Sequence, residues 1–147
     1  MSSSRGTTAA SPPDMATAYN RAHVLVTASL LLATRLLSRR IALEHVDRIL
    51  RGACAPLLWR GRWDMGSILG VVDEASRVWP ALDHCLARAM VARAMLDWIG
   101  ITAVLRIGVT KDQRALHAHA WLEHDGTPIF GAIGDLARFV PLPTRPR

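Results

Sequence analysis

Residues 80–130 read PALDHCLARAMVARAMLDWIGITAVLRIGVTKDQRALHAHAWLEHDGTPIF, and a change of pattern inside this stretch decides the fold class. From Pro80 to Gly100 runs a series of good helix formers, opened by a proline and Asp83 and closed by a glycine. That punctuation predicts a helix with Cys85 at or near its first turn. Beyond Gly100 come three β-like runs, TAVLRIGV, ALHAHAWLE and TPIFGA, separated by TKDQR and by Asp125-Gly126, a strong two-residue hairpin signal. A helix followed by a three-stranded antiparallel meander predicts an α+β fold rather than a parallel βαβ one.

Upstream, from Arg21 to about Trp79, the pattern predicts helices. AHVLVTASLLLATRLLSRR is one long apolar helix whose terminal arginines suit the negative end of its dipole. In ALEHVDRILRGA, Leu43, Val46, Ile49 and Leu50 form a helical stripe that Gly52 is expected to stop. A third helix is expected between Asp64 and Val78, carrying Ile68, Leu69, Val71 and Val72. The opening MSSSRGTTAASPPDMATAYN has no apolar periodicity and predicts a disordered tail. The organisation expected is therefore a tail over 1–20, a helical region over 21–79 and a core over 80–147.

Composition narrows the function classes. The 147 residues, half of them hydrophobic with a mean hydropathy of +0.18, suffice for one domain with a real core. The formal charge is +6. Lys111 is the sole lysine, so the basic side is arginine, scattered without interleaved aromatics or a zinc-finger or RNA-recognition pattern. No nucleic-acid partner is expected on that pattern. The apolar run Val24 to Thr34 spans about a dozen residues, short of the roughly 20 that cross a bilayer, so no membrane span is expected. Cys54 and Cys85 are far apart and form neither a disulfide framework nor a metal knuckle, which points to a reducing, cytoplasmic setting.

Two places can carry chemistry. A thiol at the start of a helix feels the positive end of the macrodipole, which favours the nucleophilic thiolate, and this singles out Cys85. Its alternative is a small buried hydrophobe, the role expected of Cys54. In the second strand, alternation puts His117, His119, Trp121 and Glu123 on one face, so that either histidine could meet the helix start across the core as general base. Parity does not choose between them. A zinc site would need further ligands at supporting spacing, and His84, His124 and Cys85 do not supply it, so no metal or cofactor is expected. His23, His45, His84 and His124 are read as peripheral.

HCLARAMVARAMLDWIGITAVLRIGVTKDQRALHAHAWLEHDGTPIFG resembles the transglutaminase-like cysteine protease domain of lasso-peptide maturation proteins. The marks are a cysteine-leucine pair opening a helix with arginines on its solvent face, a glycine-isoleucine exit, the LRIGV strand, and AHAWLE leading to an acidic-glycine turn. The resemblance implies a papain/transglutaminase-like core, with the nucleophile helix packed on a short antiparallel sheet. It also implies Cys85 as nucleophile, the histidine before Ala-Trp, His119, as base, and His117 as its neighbour. Some relatives place an acid on the next strand, facing the base. Here the register set by Asp125-Gly126 puts Gly131 or Ala132 there, and Asp135, brought back by a bend, is the preferred third member over Asp125, roughly 20 Å away along the strand. A backbone carbonyl or side-chain amide is an alternative way to hold the ring.

The activity implied is removal of the leader from a ribosomally made lasso-peptide precursor, through a Cys85 acyl-enzyme and an oxyanion held by the Cys85 amide. The partners implied are the precursor, a separate leader-recognition protein of winged-helix type, and the lasso cyclase. The Leu36 to Arg40 end, Trp59 and Trp63 form the candidate docking surface, with core packing as the alternative. A catalytically silent peptide-binding scaffold, or an acyl transferase, is the competing function.

Overall fold

The computed structural model describes residues 19–58, 62–112, 115–131, 134 and 136–143. Helix α1 spans Arg21–Leu37, α2 Leu43–Leu58, α3 Met65–Arg77 and α4 Cys85–Trp98, with a short 3-10 turn, Pro80–Leu82, before α4. The strands are β1 Val104–Asp112, β2 Ala115–His124, β3 Thr127–Phe130 and β4 Val140–Pro141, in the order β3-β2-β1-β4. All pairings are antiparallel, so the architecture is α+β.

Local chemistry explains the helix starts. The Asn20 side chain accepts from the His23 amide while His23 Nδ1 accepts from the Asn20 amide, a reciprocal capping box for α1. The Asp64 carboxylate accepts from the Ser67 amide at 2.7 Å and caps α3. Helix α2 departs from expectation, because it continues through Gly52 and Pro56 to Leu58. Cys54 and Leu58, both buried, extend the inward stripe of Val46 and Leu50, and their burial outweighs the glycine stop. Ile49, expected in that stripe, is half exposed.

Helix α4 is the centre of the molecule. Ala87, Ala89, Met90, Val91, Ala92, Ala94, Met95 and Leu96 are all buried, so α4 is covered nearly all round, by α1, α2 and α3 on one side and by β1 and β2 on the other. Its two arginines, expected on a solvent face, are instead mostly covered at 21% and 19% side-chain exposure, and they point to carboxylates.

The sheet has two different faces. Ala120 and Leu122 of β2 belong to the helical core, with Leu105 and Ile107 of β1 packed against it. On the opposite face stand His119, Trp121 and Glu123, paired with Gly108, Arg106 and Val104. The chain after β3 returns to this outer face: β4 pairs with Gly108 and Val109, and the Leu142 amide donates to the Ile107 carbonyl at 2.8 Å. This fourth strand was not expected. It places Phe139 over Gly108, where an added Cβ would lie 2.9 Å from Phe139 Cβ and 2.9 Å from the Trp121 ring. Only glycine fits there.

Candidate active site

Cys85 is the first residue of α4 and is partly buried against the core. The turn that delivers it is tied down on two sides. Arg35 of α1 donates to the Ala81 carbonyl. Arg88, one turn past Cys85, bridges Asp83 at 2.9 Å and Asp73 of α3 at 2.6 Å, and Asp73 also holds Arg77. Helix α4 begins without a side-chain cap, so its first amides are left to interact with an incoming group. The preceding residue, His84, has a buried Nδ1 without a hydrogen-bond partner among the described residues. Burial, with help from Arg35 and Arg39, pushes its pKa below the ordinary histidine range and keeps the ring neutral. Cys54 differs from Cys85 throughout: it is fully buried, and burial pushes its thiol up to about 12.

His119 is half-buried on the outer face of β2, where its ring lies between Trp121, nearly parallel at 6.3 Å between centroids, and Phe139 at 5.6 Å. Its Nε2 stands 2.6 Å from the Gly131 carbonyl oxygen. A carbonyl only accepts, so this contact places the proton on Nε2 and leaves Nδ1 as the basic nitrogen. Gly131 adopts φ +71°, a conformation that turns the chain beyond β3 and suits glycine.

A backbone carbonyl, one of the alternatives open in the sequence, meets His119 Nε2. The ladder between β2 and β3 carries a bulge at Leu122/Glu123 and ends at Leu122 and Phe130, so the pairing of His119 with Gly131 or Ala132 does not form. Asp125 is at the hairpin turn, 91% exposed and 3.5 Å from His124 Nε2, away from His119. Asp135 lies outside the described residues. His117 is exposed on the same face. Among the described residues no group of three His, Cys, Asp or Glu is disposed to hold a metal.

The expected route for the base also changes. Because His119 faces away from the helical core, it does not meet Cys85 across that core. The link between them runs around the edge of the sheet: the Arg88 guanidinium lies 5.2 Å from the centroid of the Phe130 ring, and the next residue's carbonyl holds His119. Beyond Leu122 the ladder to β3 has ended, so His119 stands past the last β3 pairing. Among the described residues no hydrogen bond joins the Cys85 thiol to the His119 ring. A groove of about 560 Å³ borders this corner, lined by Gly66 and Gly70 of α3, Arg88, and Pro128 to Gly131.

A backbone carbonyl as the holder of the ring was one of the alternatives open in the sequence, and Gly131 supplies it. Phe139 and Arg88 were missed: Phe139 comes from a segment without periodicity. Arg88 had a readable signal, a basic residue three positions past the cysteine in a helix flanked by Asp73 and Asp83.

The family model described as Transglutaminase-like superfamily matches residues 7–144. The chain belongs to the transglutaminase-like superfamily. Neither the curated proteins nor the solved structures yield a match. As a transglutaminase-like domain it fits a cysteine peptidase or an acyltransferase-like role. The matched span takes in α1 to α3 as well as α4 and the sheet. No helix among the described residues is long and apolar enough to cross a membrane.

Proposed function

We propose that this transglutaminase-like chain is a cysteine peptidase that removes the leader from a lasso-peptide precursor. The observation that carries the reading is a pair of prepared groups: Cys85 at a helix N-terminus with no side-chain cap among the described residues, and His119 held through Nε2 with Nδ1 left basic. In the reaction, the Cys85 thiol gives its proton to His119 Nδ1 as sulfur attacks the scissile carbonyl carbon. The first amides of α4 receive the oxyanion. The C–N bond breaks as Nδ1 returns the proton to the departing amine, leaving a thioester of the leader on Cys85. Water, deprotonated by His119, then releases the leader as a carboxylate and regenerates the thiol. The approach of thiol and imidazole is made around the edge of β2 when substrate fills the corner, since catalytic hydrogen bonds tighten in the Michaelis complex.

Asp135 remains the proposed acid of this site, acting on His119 from beyond Gly131. The partners proposed are the precursor, a separate winged-helix leader-recognition protein and the lasso cyclase, in the reducing cytoplasm. The surface that supports docking is on α1, where Leu25, Leu32 and Leu36 are exposed along one face and lead to Arg39 and Arg40. Trp63 supports it less: the ring is partly buried, with His23 edge-on at 5.2 Å. Trp59 lies outside the described residues.

The competing reading, an acyl transferase or silent scaffold, is favoured by one observation: the only partner described for Nε2 is a carbonyl and not a carboxylate. One assay separates them. Precursor is incubated with the wild type and with Cys85→Ala, with and without an added amine, and the products are weighed by mass spectrometry. Loss of cleavage in Cys85→Ala, with products adding up to precursor plus water, supports the peptidase. An amine-bearing product identifies the transferase, and cleavage that is absent in wild type or unchanged by Cys85→Ala contradicts the peptidase and leaves the silent scaffold.

A further inference from the structure

The outer face of the sheet holds a polar clamp that the proposed chemistry does not use. Glu123 accepts from the Trp121 indole N–H at 2.9 Å through one carboxylate oxygen and from Arg106 Nε at 2.9 Å through the other. All three side chains belong to the face that bears His119, since Arg106 pairs with Trp121 across the two strands. Trp121 is 3% exposed although it lies outside the helical core, and its ring reaches over Gly108 to the place where a Cβ would stand. Its other neighbour is the His119 ring, nearly parallel at an interplanar angle of 16°.

We infer that Glu123 is a positioning residue for the base: by holding the indole N–H and Arg106 together it fixes the Trp121 ring, which in turn holds the His119 ring on the Gly131 carbonyl. The inference rests on the assignment of His119 as the base. Physically, an aromatic ring on a flat sheet face has two χ angles to settle, and packing against glycine leaves it free to slide. A charged acceptor on its N–H, itself pinned by a guanidinium, removes that freedom. Without it the indole shifts, the imidazole follows, and the short contact to Gly131 is no longer enforced. Glu123 touches neither substrate nor thiol, so its effect passes entirely through Trp121.

The test is ring nitrogen NMR of His119 in the full chain, for the wild type, Glu123→Ala, Glu123→Gln, Trp121→Phe and the double variant Glu123→Ala/Trp121→Phe. The same proteins are mixed with precursor, and acylation of Cys85 by the leader in the first turnover is followed by acid quenching and peptide mapping. The expected result is a single Nε2–H tautomer in the wild type, a mixture in Glu123→Ala, and recovery in Glu123→Gln, which keeps an acceptor for the indole. On the Trp121→Phe background Glu123→Ala has no further effect. First-turnover acylation of Cys85 by the leader near neutral pH falls about tenfold in Glu123→Ala, as a base displaced by a fraction of an ångström allows. An unchanged tautomer in Glu123→Ala, or full additivity with Trp121→Phe, overturns the inference. Failure of the underlying reading looks different: acylation of Cys85 by the leader is then the same in wild type and His119→Ala while the ring signals still respond to Glu123, which upholds the positioning and removes only the base.

Discussion

The two faces of β2 use one strand for opposite purposes. Ala120 and Leu122 belong to the apolar core with the helices and tie the sheet to α4. His119, Trp121 and Glu123, interleaved with them, point the other way to Arg106, Gly108 and Phe139 and make directed contacts. Apolar burial is tolerant of small displacements and large in sum, whereas hydrogen bonds and ring contacts fix orientation at modest net energy. The difference teaches that fold and candidate chemistry are separable here at a spacing of one residue.

Substitutions on the two faces therefore have different signatures. Leu122→Ala on the fully buried inner face is expected to cost about 2–5 kcal/mol in urea unfolding. His119→Ala on the outer face is expected to cost under about 2 kcal/mol while abolishing precursor cleavage. Equal losses would break the distinction. Gly108→Ala drives a Cβ to 2.9 Å from both Trp121 and Phe139 and is expected to cost about 1–3 kcal/mol, with a shifted Trp121 indole N–H resonance. A stable variant with that resonance unmoved would show that the outer face is loosely packed.

Acid separates the faces further. Burial alone would raise the Glu123 carboxyl, but the Trp121 N–H and Arg106 hold it below the ordinary carboxylate range. A depressed carboxylate stabilises the fold above its unfolded pKa, and that contribution is lost as pH falls through its folded value. The Trp121 N–H resonance should therefore titrate below the ordinary carboxylate range, and Glu123→Gln should lack this transition, while Leu122 methyl signals remain unmoved. The smallest expected effect on stability comes from the thiols. Iodoacetamide should modify Cys85 in the folded protein and spare Cys54, whose burial pushes the thiol up to about 12, and Cys85→Ala should change stability by under about 1 kcal/mol. Labelling of both would show that the core around Cys54 opens.

How much of this could be read in the sequence follows from range. Helix α4 beginning at Cys85, the Asp64 start of α3 and the Asp125-Gly126 hairpin are decided by neighbouring residues, and the structure has them. Strand parity likewise placed His117, His119, Trp121 and Glu123 together. What escaped depends on distant parts of the chain. Gly52 and Pro56 are breakers by propensity, yet α2 passes both because Cys54 and Leu58 are buried by other helices. The direction in which His119's face points needed the pairing of β1 and β2 and the position of α4. Strand β4 is only Val140–Pro141 and exists through its pairing with β1. A backbone carbonyl on the ring was open in the sequence, but that it is the Gly131 carbonyl, and that it meets Nε2, depends on the fold.

The central claim is that Cys85 forms a thioester with the leader while the His119 Nδ1 handles the proton. The most direct measurement is acid quenching of the wild type early in turnover of its precursor, followed by intact mass and peptide mapping. The account predicts a leader adduct on the Cys85 peptide, in wild type and not in Cys85→Ala. Precursor cleavage with no adduct and no dependence on Cys85, or an adduct on Cys54, would contradict it.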